Sequence, residues 1–147
     1  MGFGVFNTTG IGQEIVQNVT PEKPAVIAEA KHGVAYYVAV KNDGTSSDRF
    51  MVRGGQLSGG SGWTVKYYLG AKPSESVEIT AAVMAGTFAT STMETGAITD
   101  ESTMIRAEVF ADKTVVLKGI QASFTLTFTS VSDPAAQDAV RITGVAK

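Results

Sequence analysis

Alternation of apolar and polar residues at every second position constrains this chain more than any other feature. The clearest case runs from Val34 to Asn42, where one face of the pattern collects Val34, Tyr36, Val38 and Val40. A period of two is that of a β-strand with one face buried. Asn42-Asp43-Gly44 follows, and these residue types favour a tight turn. The pattern therefore predicts a strand over 34–42 that ends in a turn.

Similar short patterns recur along the chain, separated by Gly, Asn, Asp and Ser. They predict strands over 49–53, 63–68, 87–91, 104–110, 123–129 and 139–145. Short strands at near-regular spacing predict an all-β fold, a single antiparallel sandwich of about seven to nine strands. The predicted core comprises Tyr36, Val38, Val40, Phe50, Trp63, Val65, Tyr67, Val109, Phe124, Leu126, Phe128 and Val140.

Two segments fit the pattern less well. Residues 25–30 read as a strand, but Thr20 before Pro21 could also cap a helix. Residues 79–85 begin with the β-branched pair Ile79-Thr80, while the following alanines and Met84 favour a helix. We prefer a strand for 25–30 and leave 79–85 open.

Length and composition limit the classes of function. With 147 residues the chain suits one domain, spanning 1–147. Lys and Arg number 12 against 14 Asp and Glu, which argues against nucleic acid as a partner. The chain has no cysteine and one histidine, His32, so thiolate chemistry is excluded and imidazole chemistry is confined to one position. The chain has no run of about 18 or more apolar residues, so the sequence predicts no membrane insertion.

Four runs of residues carry a family resemblance. In chain order they are GVFNTTGIGQ at 4–13, YYVAVKNDG at 36–44 with DRF at 48–50 behind it, GWTVKY at 62–67, and TSVSDPAAQDAV at 129–140. Together they resemble an immunoglobulin-like β-sandwich module that is often repeated in secreted and cell-surface proteins of bacteria and archaea. Residues 20–31 look like an insertion relative to that pattern, and Glu101-Ser102-Thr103 replaces its Pro-Gly turn.

The resemblance implies an extracellular or cell-surface location and a structural or adhesive role. It implies other copies of the chain, or neighbouring domains of a surface protein, as partners. The family is defined by its architecture rather than by an activity, so the resemblance names no reaction.

Few residues could support catalysis or hold a cofactor. His32 stands in a Lys-His-Gly turn with no Gly-x-Ser-x-Gly motif elsewhere in the chain. Carboxylates occur in pairs that we read as solvated turn acids, with calcium as the alternative because loop carboxylates suit that ion. These pairs are Glu75 with Glu78, Asp100 with Glu101, and Asp133 with Asp138. The sequence predicts a protein that is not an enzyme and has no cofactor.

Two sets of residues are candidates for binding. Residues 1–30 could act as an edge or strand-exchanging segment, because unpaired strand edges recruit further strands. Its apolar candidates are Phe3, Val5, Phe6, Ala25, Val26, Ile27 and Ala28. Alternation also sends Tyr37 and Tyr68 to the outer face, where tyrosines could stack on sugar rings, so carbohydrate is the alternative partner. Asn7 and Asn18 stand in N-glycosylation patterns whose use the sequence leaves open.

Overall fold

In a computed structural model of the chain, two β-sheets pack face to face around one cluster of buried apolar side chains. The structure describes residues 3–7, 16–19, 34–55, 58, 60–112 and 114–146, with the backbone alone for 3–7, 16–19 and Val34. This architecture confirms the predicted all-β sandwich. The predicted strand over 25–30 lies outside the described residues.

Each sheet has five strands. The first has the order β1 (Phe3–Asn7), β3 (Val34–Lys41), β8 (Ile105–Ala111), β5 (Trp63–Leu69) and β6 (Val77–Glu78). The second has the order β2 (Val16–Val19), β10 (Gln137–Val145), β9 (Gln121–Ser130), β4 (Phe50–Gly54) and β7 (Phe88–Ala89). The described strands thus number ten, above the predicted range; β7 lies within the predicted strand over 87–91, whereas β6, with two residues, is too short for its pattern to register.

The core forms where the inner faces of the two sheets meet. Alternation along β3 buries Tyr36, Val38 and Val40, and β9 buries Phe124, Leu126 and Phe128 in the same way. All the predicted core residues are buried except Trp63 and Val65, which are partly buried and pack against the core. The period-two pattern was therefore a reliable guide to the buried face.

The pairing of the two N-terminal strands departs from the prediction of an antiparallel fold. β1 runs parallel to β3, with Val5 opposite Ala39. β2 runs parallel to β10, with Asn18 opposite Arg141. The other strand pairs are antiparallel. A hairpin can only join antiparallel neighbours, so each N-terminal strand must cross to a partner far along the chain.

The segment with mixed signals, 79–85, forms a short helix, α1 (Thr80–Ala85). Val83 anchors it by burying its side chain completely. Gly86 ends it in the left-handed region, with φ 72°, where glycine has no steric penalty. The alanines therefore outweighed the β-branched start.

The sandwich has two distinct ends. At the proximal end β3 and β5 begin and β8 and β10 finish, and the 112–120 loop lies there. At the distal end β3 finishes and β4 begins, next to the turn between β9 and β10. The loops 42–49, 70–76 and 93–104 also lie at the distal end.

Candidate assembly edges

The N-terminal arm, which we define as β1 and β2 together, supplies an outer strand to both sheets. β1 lies along the second half of β3, from Tyr37 to Lys41. β2 lies along β10 from Ala139 to Ile142. The arm therefore occupies one edge of each layer, although it belongs to one short stretch of the chain.

Without the arm, two long strands would each have a free edge. β3 pairs with β8 along one edge, and its other edge pairs with β1 from Tyr37 to Lys41. β10 pairs on its other side with β9 along its whole length. Long apolar strands with unpaired N–H and C=O groups recruit further strands. The arm covers the parts of the sandwich that are most prone to strand addition.

The opposite edges are much shorter. β6 and β7 have two residues each, and short edge strands offer few groups for pairing. Val77 on β6 is exposed. Strand addition is therefore favoured at the edges that the arm occupies.

The predicted assembly residues divide into two groups. Phe3, Val5 and Phe6 lie on β1, opposite Tyr37, Ala39 and Val40 respectively. Ala25, Val26, Ile27 and Ala28 lie outside the described residues. Within the single chain β1 completes the chain's own first sheet, so any exchange must replace that contact with the same contact on another copy.

The two candidate tyrosines stand in one row on the outer face of the first sheet. Tyr37 on β3 and Tyr68 on β5 are both register partners of Arg106 on β8. Two strand spacings, roughly 10 Å, therefore separate them across the sheet. Both are half-buried rather than fully exposed.

Arg106 fills the gap between the tyrosines, and the sequence analysis did not identify it. Its guanidinium carbon lies 4.5 Å from the centre of the Tyr68 ring, a cation–π distance. Nη1 donates to the backbone oxygens of Gly70 and Ala71 at 3.4 and 3.1 Å, and Nη2 donates to Ser76 Oγ at 3.0 Å. Arg106 thus ties the loop after β5 to the sheet and covers one face of Tyr68.

The ion pair of Arg106 is less well formed than these hydrogen bonds. Nε lies 3.2 Å from Glu108 Oε1, but the N–H is not aligned for a hydrogen bond with any acceptor. The side chain is only 2% exposed. A buried cation of this kind depends on its carbonyl acceptors, so its role is to anchor the loop.

Most of the paired carboxylates are exposed, as predicted, but Asp138 is not. It lies on β10 with 1% of its surface exposed, and its Oδ2 has no hydrogen-bond partner. Burial raises the pKa of Asp138 to about 6, against the opposing effect of a hydrogen bond from the backbone N–H of Ala139. The interpretation of Asp138 as a solvated turn acid was wrong, because β10 extends two residues further towards the distal end than predicted.

A surface cavity at the distal end brings one of these pairs, Asp100 and Glu101, together with Glu75. It has a volume of about 380 Å³ and is lined by Gly70, Lys72, Glu75, Asp100, Glu101 and Ser102. Lys72 Nζ lies 3.3 Å from Glu101 Oε2 and competes for that carboxylate. Within the described ranges no three His, Asp or Glu side chains lie close enough together to hold a metal ion.

The structure describes only some of the residues considered for catalysis. His32 lies outside the described residues. Asp133 is exposed in the turn between β9 and β10, where Oδ1 accepts from the backbone N–H of Ala135 at 3.2 Å. That bond stabilises a turn. In the part of the chain that the structure describes, no helix is long and apolar enough to cross a membrane.

Comparisons with known proteins show remote similarity only. No protein-family model and no curated protein sequence matches the chain. A solved N-terminal domain of PorA is similar over 92% of this chain and 88% of its own, with 9% identity and a TM-score of 0.43. PapD-like domain 7 of human CEP192 is similar over 92% of this chain and 81% of its own, with 11% identity and a TM-score of 0.35.

A copper-containing nitrite reductase from Thermus scotoductus SA-01 is a weaker neighbour. It is 15% identical, with 77% of this chain covering 21% of that one and a TM-score of 0.24. All three TM-scores are below 0.5. The all-β sandwich is therefore established by the two sheets of the chain itself.

Proposed function

We propose that the chain is a non-catalytic structural module, outside the cell or on its surface, that assembles with other copies by exchanging the N-terminal arm. One observation carries this proposal: the arm provides an edge strand to both sheets, in parallel pairs with defined register. The same backbone contacts can form between two copies as within one. Exchange of an identical element is a low-cost route to assembly, because the contacts between copies are the ones that already form within a single chain.

The length of the arm's connection to the rest of the chain supports exchange. β2 ends at Val19 and β3 begins at Val34. Residues 20–33 can therefore span at most about 45–50 Å. A strand as long as β10 covers roughly 30 Å. The connection is long enough for the arm to pair with a neighbouring copy.

The surface location and structural role follow from the family resemblance of the four sequence runs. Two of these runs, DRF and TSVSDP, meet in space at the distal end, where Asp48 bonds to Ser130 and Ser132. Neighbouring domains of a larger surface protein could accept the arm in the same way as a second copy. Strand addition by backbone hydrogen bonds does not depend on the full sequence of the acceptor.

Sizing by light scattering, followed by electron microscopy, tests this function directly. We expect oligomers or filaments whose size increases with protein concentration. Removal of residues 1–30 should abolish them. A synthetic peptide of residues 1–20 should then bind the shortened chain, which separates loss of the arm from loss of the fold. A full-length chain that stays monomeric at every concentration contradicts the proposal.

Carbohydrate binding is the second candidate, and the tyrosine row is the observation that favours it. Tyr37 and Tyr68 share one face and one register partner. Glycan-array binding by a monomeric protein, lost on Tyr37→Ala, would support this function. Arg106 already covers one face of Tyr68, so Tyr37 should contribute more than Tyr68.

A further inference from the structure

One edge of the first sheet is covered only in part. β6 pairs with β5 at Tyr68 and Leu69, and the backbone N–H of Ile79 then donates to Tyr67 O at 2.8 Å. Residues 63–66 precede this covered part of β5, and among the described strands none lies beside them on that side. We call residues 63–66 the β5 edge.

The directions of the hydrogen bonds show which backbone groups of the β5 edge are free. In an antiparallel strand, the N–H and C=O of one residue point to the same side, and those of the next residue point to the other. Gly62 O accepts from the residue after β8 at 2.8 Å, whereas both backbone groups of Tyr67 bond to the 79–80 segment. Odd-numbered residues of β5 therefore face away from β8. The N–H and C=O groups of Trp63 and Val65 point to the uncovered side.

Apolar side chains line the inner side of the β5 edge. Trp63 and Val65 lie on the inner face but are partly exposed, unlike Tyr67 on the same strand, which is fully buried. Their exposure follows from the absence of a described strand beside them. Unpaired backbone groups next to partly exposed apolar side chains favour strand addition.

A second β5 edge, related to the first by a twofold axis, fits this site. With the axis at Thr64, Trp63 of each copy lies opposite Val65 of the other. These residues face outward in both strands, so each opposed pair exchanges both of its N–H···O=C bonds. In a twofold contact the same patch serves both copies, and each such bond forms twice.

Other positions of the axis match the free groups less well. An axis at Val65 would require the backbone groups of Tyr67, which the 79–80 segment already engages. An axis at Trp63 would set Val65 opposite Ser61, which lies in a turn before the strand begins. The first register pairs free groups with free groups.

The charged side chains of the outer face fit the same register. Lys66 of one copy lies opposite Gly62 of the other, and Gly62 is bonded to Asp112 of its own chain. Two strand spacings, roughly 10 Å, then separate Lys66 from Asp112 of the second copy, and two extended side chains can close that gap. A lysine on an edge strand normally opposes strand addition, but here it faces a carboxylate. Its register partner within the chain, Glu108, already lies 3.2 Å from Arg106 Nε.

A groove is present where the incoming lysine would lie. It has a volume of about 440 Å³ and is lined by Gly62, Thr64, Lys66, Phe110, Ala111 and Asp112. Gly62 has no side chain to block entry from the edge, and half-buried Phe110 offers an apolar wall to the methylene groups of a lysine. The Thr114 hydroxyl donates to Asp112 Oδ1 at 2.7 Å and holds that carboxylate in place.

From these observations we infer that two copies of the chain pair antiparallel through their β5 edges, about a twofold axis at Thr64, so that their first sheets become continuous. The contact lies at the edge of the first sheet opposite to β1. It does not use the N-terminal arm and so goes beyond the proposed function. A twofold contact closes at two copies, so by itself it gives dimers and not filaments.

A single-cysteine variant tests the register in the full-length chain, which has no cysteine of its own. Thr64→Cys sets two thiols opposite each other at the axis, where Cα atoms of a non-hydrogen-bonded pair lie about 4.5 Å apart, within disulfide range. Ser61→Cys is the control, because Ser61 is also exposed but lies roughly 20 Å from its counterpart in this register. In a glutathione buffer we expect the disulfide-linked dimer of Thr64→Cys to exceed that of Ser61→Cys by about tenfold. Equal yields would overturn the inference.

Amide hydrogen exchange in the unaltered chain provides a second measurement with an internal control. The N–H groups of Trp63 and Val65 should exchange more slowly, by about tenfold, in concentrated than in dilute samples. Those of Thr64 and Lys66 point to β8 within one chain and should keep their rates. Rates at Trp63 and Val65 that do not depend on concentration would contradict the contact.

Substitutions of Lys66 test the charge pairing, with sedimentation equilibrium as the measurement. Lys66→Glu should raise the dissociation constant of the dimer by about tenfold, because it sets a carboxylate beside Asp112 of the second copy. Lys66→Arg keeps the charge and should change it less. Equal effects of the two substitutions would refute the register. Loss of this dimer in a chain that still exchanges its arm overturns the pairing of β5 edges and leaves the proposed function standing.

Discussion

Asp48 accepts two hydrogen bonds from Ser132, one from its backbone N–H at 3.1 Å and one from its hydroxyl at 2.8 Å. The same carboxylate also accepts from Ser130 Oγ and from the backbone N–H of Arg49. These bonds join the start of β4 to the turn between β9 and β10, which lies more than eighty residues later in the chain. Asp48 therefore closes the distal end of the second sheet.

We expect Asp48→Ala to lower the free energy of unfolding by about 2–3 kcal/mol, since it removes the acceptor of several charge-assisted bonds. Burial raises the pKa of Asp48, but the bonds from Ser130, Ser132 and Arg49 outweigh it and lower that pKa overall. The stabilisation is therefore present above about pH 4 and is lost as the carboxylate protonates below it. Urea unfolding at pH 7 and pH 3 measures both effects. Glu101→Gln is the control, because that carboxylate is exposed and should matter little.

The contribution of Asp138 to the free energy of unfolding should show the opposite dependence on pH. Its pKa is raised by burial to about 6, so the folded state binds the proton more tightly than the unfolded state. The fold is then most stable below about pH 4 with respect to this group, and loses at most about 3 kcal/mol as the pH rises through 6. Asp138→Asn should remove this loss, making the variant more stable than the original chain at pH 7 and equal to it near pH 4. The exposed Asp133→Asn serves as the matched control, and a pH-independent difference would refute the assignment.

We expect Arg106 to tolerate no substitution that removes the several N–H donors of its guanidinium group. Arg106→Lys keeps the charge but cannot bond to Gly70, Ala71 and Ser76 together. We expect a loss of about 2–4 kcal/mol in unfolding free energy, together with faster amide hydrogen exchange in the 70–76 loop. The exposed Arg53→Lys should change neither quantity. Unchanged exchange in the loop would show that Arg106 does not anchor it.

Gly54, on the inner face of the second sheet, should be sensitive to substitution. A Cβ there would lie 2.7 Å from Tyr67 Oη and within 3 Å of its ring. Gly54→Ala should therefore cost about 1–3 kcal/mol through overpacking. Gly55→Ala, whose Cβ would lie 3.4 Å from its nearest neighbour, Thr125 O, is the control. Thermal unfolding of the two variants compares them, and similar losses for both would contradict the close approach.

The long strands outside the N-terminal arm were predicted well from the sequence, because each carries its own periodic signal. Leu126 on β9 stands between two threonines, and on β3 the large residues Tyr36, Val38 and Val40 recur at every second position; these patterns decide which face is buried. β2 carries no comparable signal, since Val16–Val19 is too short to alternate clearly. Its place in the sandwich depends on pairing with a strand at the other end of the chain.

Arg106 shows why parts of the outer face could not be predicted. An arginine at an outward position of a strand normally has its charge in water. Here a loop that is distant in sequence, 70–76, folds over the side chain and provides its acceptors. Asp138 was missed for a similar reason, because only the extent of β10 places its carboxyl inside the sandwich. Burial of single polar groups depends on tertiary contacts that no local pattern records.

Exchange of the N-terminal arm is the central claim, and one cross-linking measurement tests it most directly. Asn18 on β2 and Arg141 on β10 are register partners. Chains carrying Asn18→Cys are mixed with chains carrying Arg141→Cys, refolded together at high concentration and oxidised. The control mixture joins Thr125→Cys to Arg141→Cys, partners in the antiparallel pair of β9 and β10, neither of which belongs to the arm. Exchange predicts disulfide-linked heterodimers from the first mixture and none from the second, whereas heterodimers from neither mixture would contradict it.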